Sequence, residues 1–260
     1  MKAMRVLVVV LDGASFVFTN TFCWFMEDVM WFWSKFKRTF LYVDEPPLTP
    51  CVLNSMFTGL RTNEHGVKGF SPRGLKNPFI GMFKGKYIWD LCTAVGLKVR
   101  VFNVPVRIPP IYLNVDLKGH DWVDYWLPPK ERFEVTVKMM HEVVKENIKN
   151  PYDLFIVWYP IPDQAHHHFF ATIHSHEALH EALKWYNTAF KYARELIELS
   201  RPDAFLIVSD HGFMCDFESY YADGIRQHIH VRDALAVTNV DDVPKTVRDV
   251  FHWVGRRFNL

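Results

Sequence analysis

Val6-Leu7-Val8-Val9-Val10-Leu11-Asp12-Gly13 is an uninterrupted apolar run, mostly valine, that stops on an aspartate and a glycine. Its lack of polar alternation fits a strand buried on both faces, as in the middle of a parallel sheet. Placed near the start of the chain it has the look of a signal peptide. It is too short, however, and Asp12-Gly13 replaces a small-residue cleavage site. Working outward, Val99–Asn103, Leu154–Tyr159 and Phe205–Ser209 repeat the same character. Helical patterns separate them. Leu179, Leu183, Tyr186, Phe190, Ala193 and Ile197 recur at steps of four and three, and residues 132–148 form a second charged, helix-favouring stretch. Strand and helix in alternation predict a three-layer α/β/α sandwich around a mainly parallel sheet. With no repeat, linker or low-complexity tract, residues 1–260 read as a single domain.

Composition narrows the function classes. A formal net charge of +1 gives no reason to expect a nucleic-acid duplex as partner. No run of 18 apolar residues is present, so no transmembrane segment is expected. Cys23, Cys51, Cys92 and Cys215 are scattered, which argues against a disulfide framework or thiolate zinc site and for a reducing, cytoplasmic location. Thirteen histidines are many for this length, and their positions carry the chemistry.

Four motifs place acidic, hydroxyl or imidazole groups just past predicted strands: VVVLDG with Asp12, LTPCVLNSMFTG with Thr49, WYPIPDQAHHHF with Asp163 and His167, and IVSDHGF with Asp210 and His211. Open α/β sheets gather ligands at that edge. A further histidine, His228 or His230, follows in RQHIHV. Singly each is weak: an Asp after a strand is more often a cap, and two of the three histidines in His166–His168 read as solvated loop. Together they supply oxygen and imidazole ligands for two divalent cations.

In this order the motifs resemble the type I phosphodiesterase/nucleotide pyrophosphatase branch of the alkaline phosphatase superfamily. LDG, a Thr ten residues before the Gly of TG, a PD-x-x-x-H element (Pro162, Asp163, His167), SDHG (Ser209 to Gly212) and the segment Ile88–Pro110 all match. The resemblance implies an alkaline-phosphatase-like fold without a large cap. It implies Thr49 as nucleophile, forming a phosphothreonine intermediate. One metal would lie on Asp163, His167 and a late histidine, with His230 preferred over His228 by spacing. The other would lie on Asp12, Asp210 and His211. Zinc is the expected ion, with manganese as substitute, and the substrate a small phosphorylated molecule such as a nucleotide.

Two departures stand out. The branch carries an Asn twenty-one residues after the nucleophile, where this chain has Phe70, so Asn54 or Lys68 is the expected replacement contact. Arg107 stands where relatives show a smaller polar residue, and it is a further substrate-binding candidate. A catalytically degraded member that binds phosphorylated ligands without turnover is the alternative. Sulfatases need a different nucleophile pattern, and Cys51 and Leu53 do not supply it.

Residues 16–40 read as one helix, with Phe18, Phe22, Phe25, Val29, Phe32 and Phe36 as an apolar stripe. Trp24 and Trp31 fall on its polar face with Asn20, Glu27, Asp28, Lys35 and Arg38. A covered core helix is one expectation. A homo-oligomer interface, a wall for the leaving group and membrane contact are the others, the last being weakest because both charge signs share that face.

Overall fold

A computed structural model describes residues 4–70, 79–80, 85–106, 130–169, 176–215 and 228–260. The run Val6–Leu11 is strand β1, every residue of it buried. Its side chains alternate between two cores: Leu7, Val9 and Leu11 join one, Val6, Val8 and Val10 the other. Burial on both faces is why the run shows no polar alternation.

β1 lies within a six-stranded sheet of order β2 (Lys37–Tyr42), β10 (Asp233–Thr238), β7 (Ala204–Val208), β1, β6 (Leu154–Tyr159), β5 (Val99–Phe102). β5, β6, β1 and β7 are mutually parallel, and β10 runs antiparallel to β7 and to β2. Two small ladders stand outside it, β3 (Gly69–Phe70) with β4 (Phe79–Ile80) and β8 (Gly212–Cys215) with β9 (His228–Val231). Helices cover both faces. α1 (Phe16–Phe22), α2 (Glu27–Trp33), α6 (Lys130–Ile148) and α8 (His176–Ser200) pack with Leu7, Val9 and Leu11. α3 (Thr49–Thr58), α5 (Ile88–Ala94) and α9 (Asp249–Phe258) pack with Val6, Val8 and Val10. The architecture is the expected α/β/α sandwich. In α8 the stripe works as read, with Tyr186, Phe190, Ala193 and Ile197 buried, though Leu179 near its start is exposed.

Residues 16–40 are not one helix. α1 ends at Phe22, a 3-10 turn spans Cys23–Phe25, Met26 is extended, α2 follows, and the chain then enters edge strand β2. Met26 breaks the helix because its extended backbone turns α2 onto α8. There Asp28 accepts from Arg194 Nη1 at 3.3 Å and from Asn187 Nδ2 at 3.2 Å. Aromatic residues satisfy strand and helix alike, and Lys37–Tyr42 finds a better partner in β10 than in a continued helix. The stripe is split accordingly: Phe32 is fully buried while Phe25 is 74% exposed. Trp31 lies between two cations, with Lys35 Nζ 4.3 Å and the Arg194 guanidinium 4.9 Å from its ring.

Phe32 meets Phe36, Phe190 and Phe205 edge-on or tilted. Phe32→Ala should therefore cost about 3–5 kcal/mol of unfolding free energy. Trp24→Ala, at 78% exposure, should stay within about 0.5 kcal/mol. Denaturant midpoints of the two variants check this, and similar losses in both would contradict the broken-helix arrangement.

Candidate active site

Registers bring the motifs together. Leu11 pairs with Tyr159 and Val10 with Val208, so the chain leaves β6, β1 and β7 at neighbouring points of one edge. The Asp12 amide donates to the Tyr159 carbonyl at 3.0 Å, and the Asp163 amide donates to the Asp12 carbonyl at 2.9 Å. Asp163 opens α7 (Asp163–Phe169), whose turn puts His167 four residues on along the same face. Two glycines permit the crowding. Gly13 has φ +71° and donates to Asp210 Oδ1 at 3.2 Å, and a Cβ there would lie 2.8 Å from Asp163 Cβ. A Cβ on Gly212 would lie 2.2 Å from the Asp233 carbonyl oxygen. Ser209 is a tie rather than a ligand: its hydroxyl donates to Ala14 O at 2.6 Å and accepts from Leu235 N at 2.9 Å.

The side chains converge on His211 and Asp163. From His211 Nε2 the distances are 3.2 Å to Thr49 Oγ1, 3.3 Å to Asp12 Oδ1, 3.6 Å to Asp210 Oδ2 and 3.9 Å to Asp163 Oδ1. His230 Nε2 lies 3.3 Å from Asp163 Oδ1, and His167 Nε2 lies 3.5 Å from Asp163 Oδ2. The His211 and His230 rings stack with centroids 4.0 Å apart. Two overlapping sets, Asp12/Asp210/His211 and Asp163/His211/His230, each bring their ligand atoms within 4.8 Å of one another.

These groups nearly all accept. His211 Nδ1 faces the Gly212 carbonyl at 3.2 Å and His230 Nδ1 faces the Pro47 carbonyl at 3.1 Å. A carbonyl cannot donate, so each Nδ1 carries a proton, and each Nε2 faces the carboxylates, with a lone pair when the ring is neutral and as a donor when it is charged. Asp12 Oδ1, Asp163 Oδ1 and Asp210 Oδ2 are buried and accept no hydrogen bond among the described residues. Lone pairs facing lone pairs away from water require positive charge, as protons or metal cations. Burial pushes the Asp12 carboxyl well above the usual range, and Asp210 and Asp163 push it further. Burial acts the same way on Asp163, but His230, His211 and His167 outweigh it and hold that carboxyl at about 2. The Asp and imidazole set suits divalent cations.

Thr49 is the first residue of α3, after extended Leu48 and before Pro50, and all ten residues of the helix are buried. The helix start presents amide hydrogens and the positive end of its dipole to the cluster. The Asn54 amide is engaged elsewhere. Asn54 is fully buried, donating to Pro50 O at 2.6 Å and accepting from the Tyr87 hydroxyl at 2.7 Å. Lys68 is exposed. Arg107 lies outside the described residues, and so does the His228 side chain, although the backbone pairs His228 with Cys215 and His230 with Phe213. The His166–His168 run is helical rather than loop. Within it His166 is buried and stacks on Phe213 at 4.4 Å. Two supports carry no motif signal. Asp233 accepts from the Phe16 and Val17 amides and from the Ser15 hydroxyl, holding the start of α1 beside the site. The Tyr186 hydroxyl bridges Ser15 N and Gly13 O.

A family model described as type I phosphodiesterase / nucleotide pyrophosphatase matches residues 6–244. No curated protein sequence matches significantly. Among solved structures, murine ectonucleotide pyrophosphatase / phosphodiesterase 5, an inactive variant in complex with AMP, superposes with TM-score 0.69 and 13% identity, covering 99% of this chain and 95% of that one. Phosphonoacetate hydrolase from Sinorhizobium meliloti 1021 with phosphonoformate gives TM-score 0.57 and 15% identity, covering 86% of this chain and 59% of that one. A 2-O GAG sulfatase gives TM-score 0.67 and 10% identity, covering 100% and 71%. The fold is alkaline-phosphatase-like.

The raised Asp12 pKa sets a sign. Ionised Asp12 costs the metal-free protein stability at neutral pH, and that cost is relieved as pH falls through the folded-state pKa. Asp12→Asn should raise the melting temperature of metal-free protein at pH 7, by roughly 2–4 °C per kcal/mol relieved. It should also reduce any rise that added zinc produces. Paired melts with and without metal check both halves, and an Asn variant less stable without metal would refute the repulsion.

Proposed function

Because the chain belongs to the type I phosphodiesterase / nucleotide pyrophosphatase family, we propose that Thr49 is the nucleophile of a metal-dependent phosphate-ester hydrolase. The observation that carries this is the Thr49 hydroxyl, buried at a helix start and 3.2 Å from His211 Nε2 inside a cluster of carboxylates. Asp163, His167 and His230 are assigned to one divalent cation, and Asp12, Asp210, His211 and the Thr49 hydroxyl to the other. Zinc is favoured by this ligand mixture, with manganese able to substitute. When bound, such cations lower the pKa of a hydroxyl and offset charge on phosphate oxygens.

The chain's own residues do the rest. Thr49 Oγ1 gives up its proton and forms a bond to phosphorus as the ester P–O bond breaks and the leaving oxygen departs, protonated, as the alcohol. Water then splits the phosphothreonine, releasing the phosphate product and restoring the Thr49 hydroxyl. The first turn of α3 stabilises the anionic phosphoryl oxygens. Gly212 O and Pro47 O hold His211 and His230 in the tautomer that presents Nε2. A small phosphorylated substrate is expected, and a nucleotide is the first to try because a structure of similar fold holds AMP. The single-domain reading stands with this proposal. So does a cytoplasmic location, since Cys23, Cys51 and Cys92 are buried and unbridged. The non-catalytic reading rests on Phe70 alone and predicts ligand binding without turnover.

Thr49→Ala should lower turnover on a chromogenic phosphodiester by about 10³ or more. It should leave fold and most bound metal intact, while Thr49→Ser keeps measurable activity. A modest loss in the Ala variant would point to direct attack by water, and an inactive wild type to a binding protein. His230→Ala should lose about one metal equivalent by elemental analysis and His228→Ala far less. The reverse pattern would move the ligand to His228.

A further inference from the structure

The corner between α1 and α2 carries the two most exposed aromatic side chains among the described residues, Trp24 at 78% and Phe25 at 74%. Tyr42 follows at 48%. Trp24 and Phe25 stand on the 3-10 turn Cys23–Phe25, and buried residues on either side hold them outward. Cys23 and Met26 are in the core, and the Met26 amide donates to Cys23 O at 3.0 Å. A rigidly displayed Trp–Phe pair loses solvation free energy in water that any apolar environment would return.

Cations line a cavity that reaches Asn20, one helical turn before Trp24. A cavity of about 560 Å³ is lined by Phe16, Asn20, Phe36, Lys37, Arg38 and Lys245, among others. Asn20 sits one helical turn before Trp24 and accepts from Trp33 Nε1 at 3.1 Å, which ties the aromatic turn to the cavity. Lys35, Lys37, Arg38 and Lys245 are exposed, against Glu27 and Asp241 as exposed carboxylates. Asp241 lies 2.5 Å from Lys37. Asp28, the other acidic residue of this stretch, is turned into the protein by Arg194 and Asn187. The mixed charge that weighed against a membrane in the sequence is therefore mostly positive on the surface.

The corner also lies away from the strand ends that hold the cluster. Lys37 pairs with Thr238, at the other end of β10 from Asp233, whose carboxylate binds Ser15 beside the site. A partner at the corner leaves the site open. A second copy of the chain would set cation against cation across a two-fold axis. An anionic surface with an apolar interior matches both halves of the patch.

We propose that this corner docks on a membrane surface containing anionic lipid. Trp24 and Phe25 enter the headgroup region, and Lys37, Arg38 and Lys245 meet lipid phosphates. Sedimentation of the full chain with vesicles of phosphatidylcholine, with and without phosphatidylserine, tests it. Wild type should bind the phosphatidylserine vesicles and be released by salt. Trp24→Ala/Phe25→Ala should bind at least about tenfold more weakly, since each ring contributes a large buried area. Lys37→Glu/Lys245→Glu should lose about fivefold or more per cation. Both variants should keep wild-type circular dichroism, so lost binding is not lost fold. The proposal is overturned if wild type ignores both vesicles, or if the charge-reversed variant binds as wild type does. It is also overturned if the wild type is a dimer that Trp24→Ala/Phe25→Ala dissociates without any vesicle binding, since a second copy would then be the occupant.

Discussion

Asp12, Asp163 and Asp210 are held together in a place nearly closed to water, where their charges repel. Most of the surrounding structure keeps them there. Neighbouring parallel strands fix where the chain emerges, and the backbone bonds Asp12 N to Tyr159 O and Asp163 N to Asp12 O lock the three segments to each other. Two positions close enough to reject a Cβ complete the clamp. The apolar strands supply the stability that lets such a cluster persist: β1, β6 and β7 are buried along their whole length.

Support reaches beyond the cluster in layers. Gly212 O and Pro47 O orient the two imidazoles, and Pro47 lies just ahead of the helix that carries Thr49. Asp233 and Tyr186 hold the start of α1, fixing the turn that follows Asp12. The carboxylate cage, Thr49 and the imidazole rings are thus tied to one another. Such pre-positioning is what phosphoryl chemistry needs from a protein.

The sequence shows its strands plainly because burial on both faces removes every polar interruption, as in Val6–Leu11 and Leu154–Tyr159. Asp163 and His167 were legible as a PD-x-x-x-H motif, and the helix that brings them together, one turn apart, was not. Residues 16–40 misled for a physical reason: aromatic side chains at steps of three and four also suit two short helices and an edge strand, and only the partner β10 decides. Asp233 gave no signal, since its role depends on Ser15, 218 residues away along the chain. Asn54 drew notice as a polar residue near Thr49, but Tyr87 and Pro50 already engage its amide. The need for glycine at position 212 likewise depends on a carbonyl from another strand.

His211 Nε2 faces Asp12 and Asp210 on one side and Asp163 on the other, yet that nitrogen has one lone pair. It can serve one cation at a time, so only one of the two overlapping groups can claim it. In the assignment proposed above it goes with Asp12 and Asp210, and a cation on Asp163 would then rely on His167 and His230 for its imidazoles. One nitrogen set between two carboxylate groups makes the division of ligands an exclusive choice.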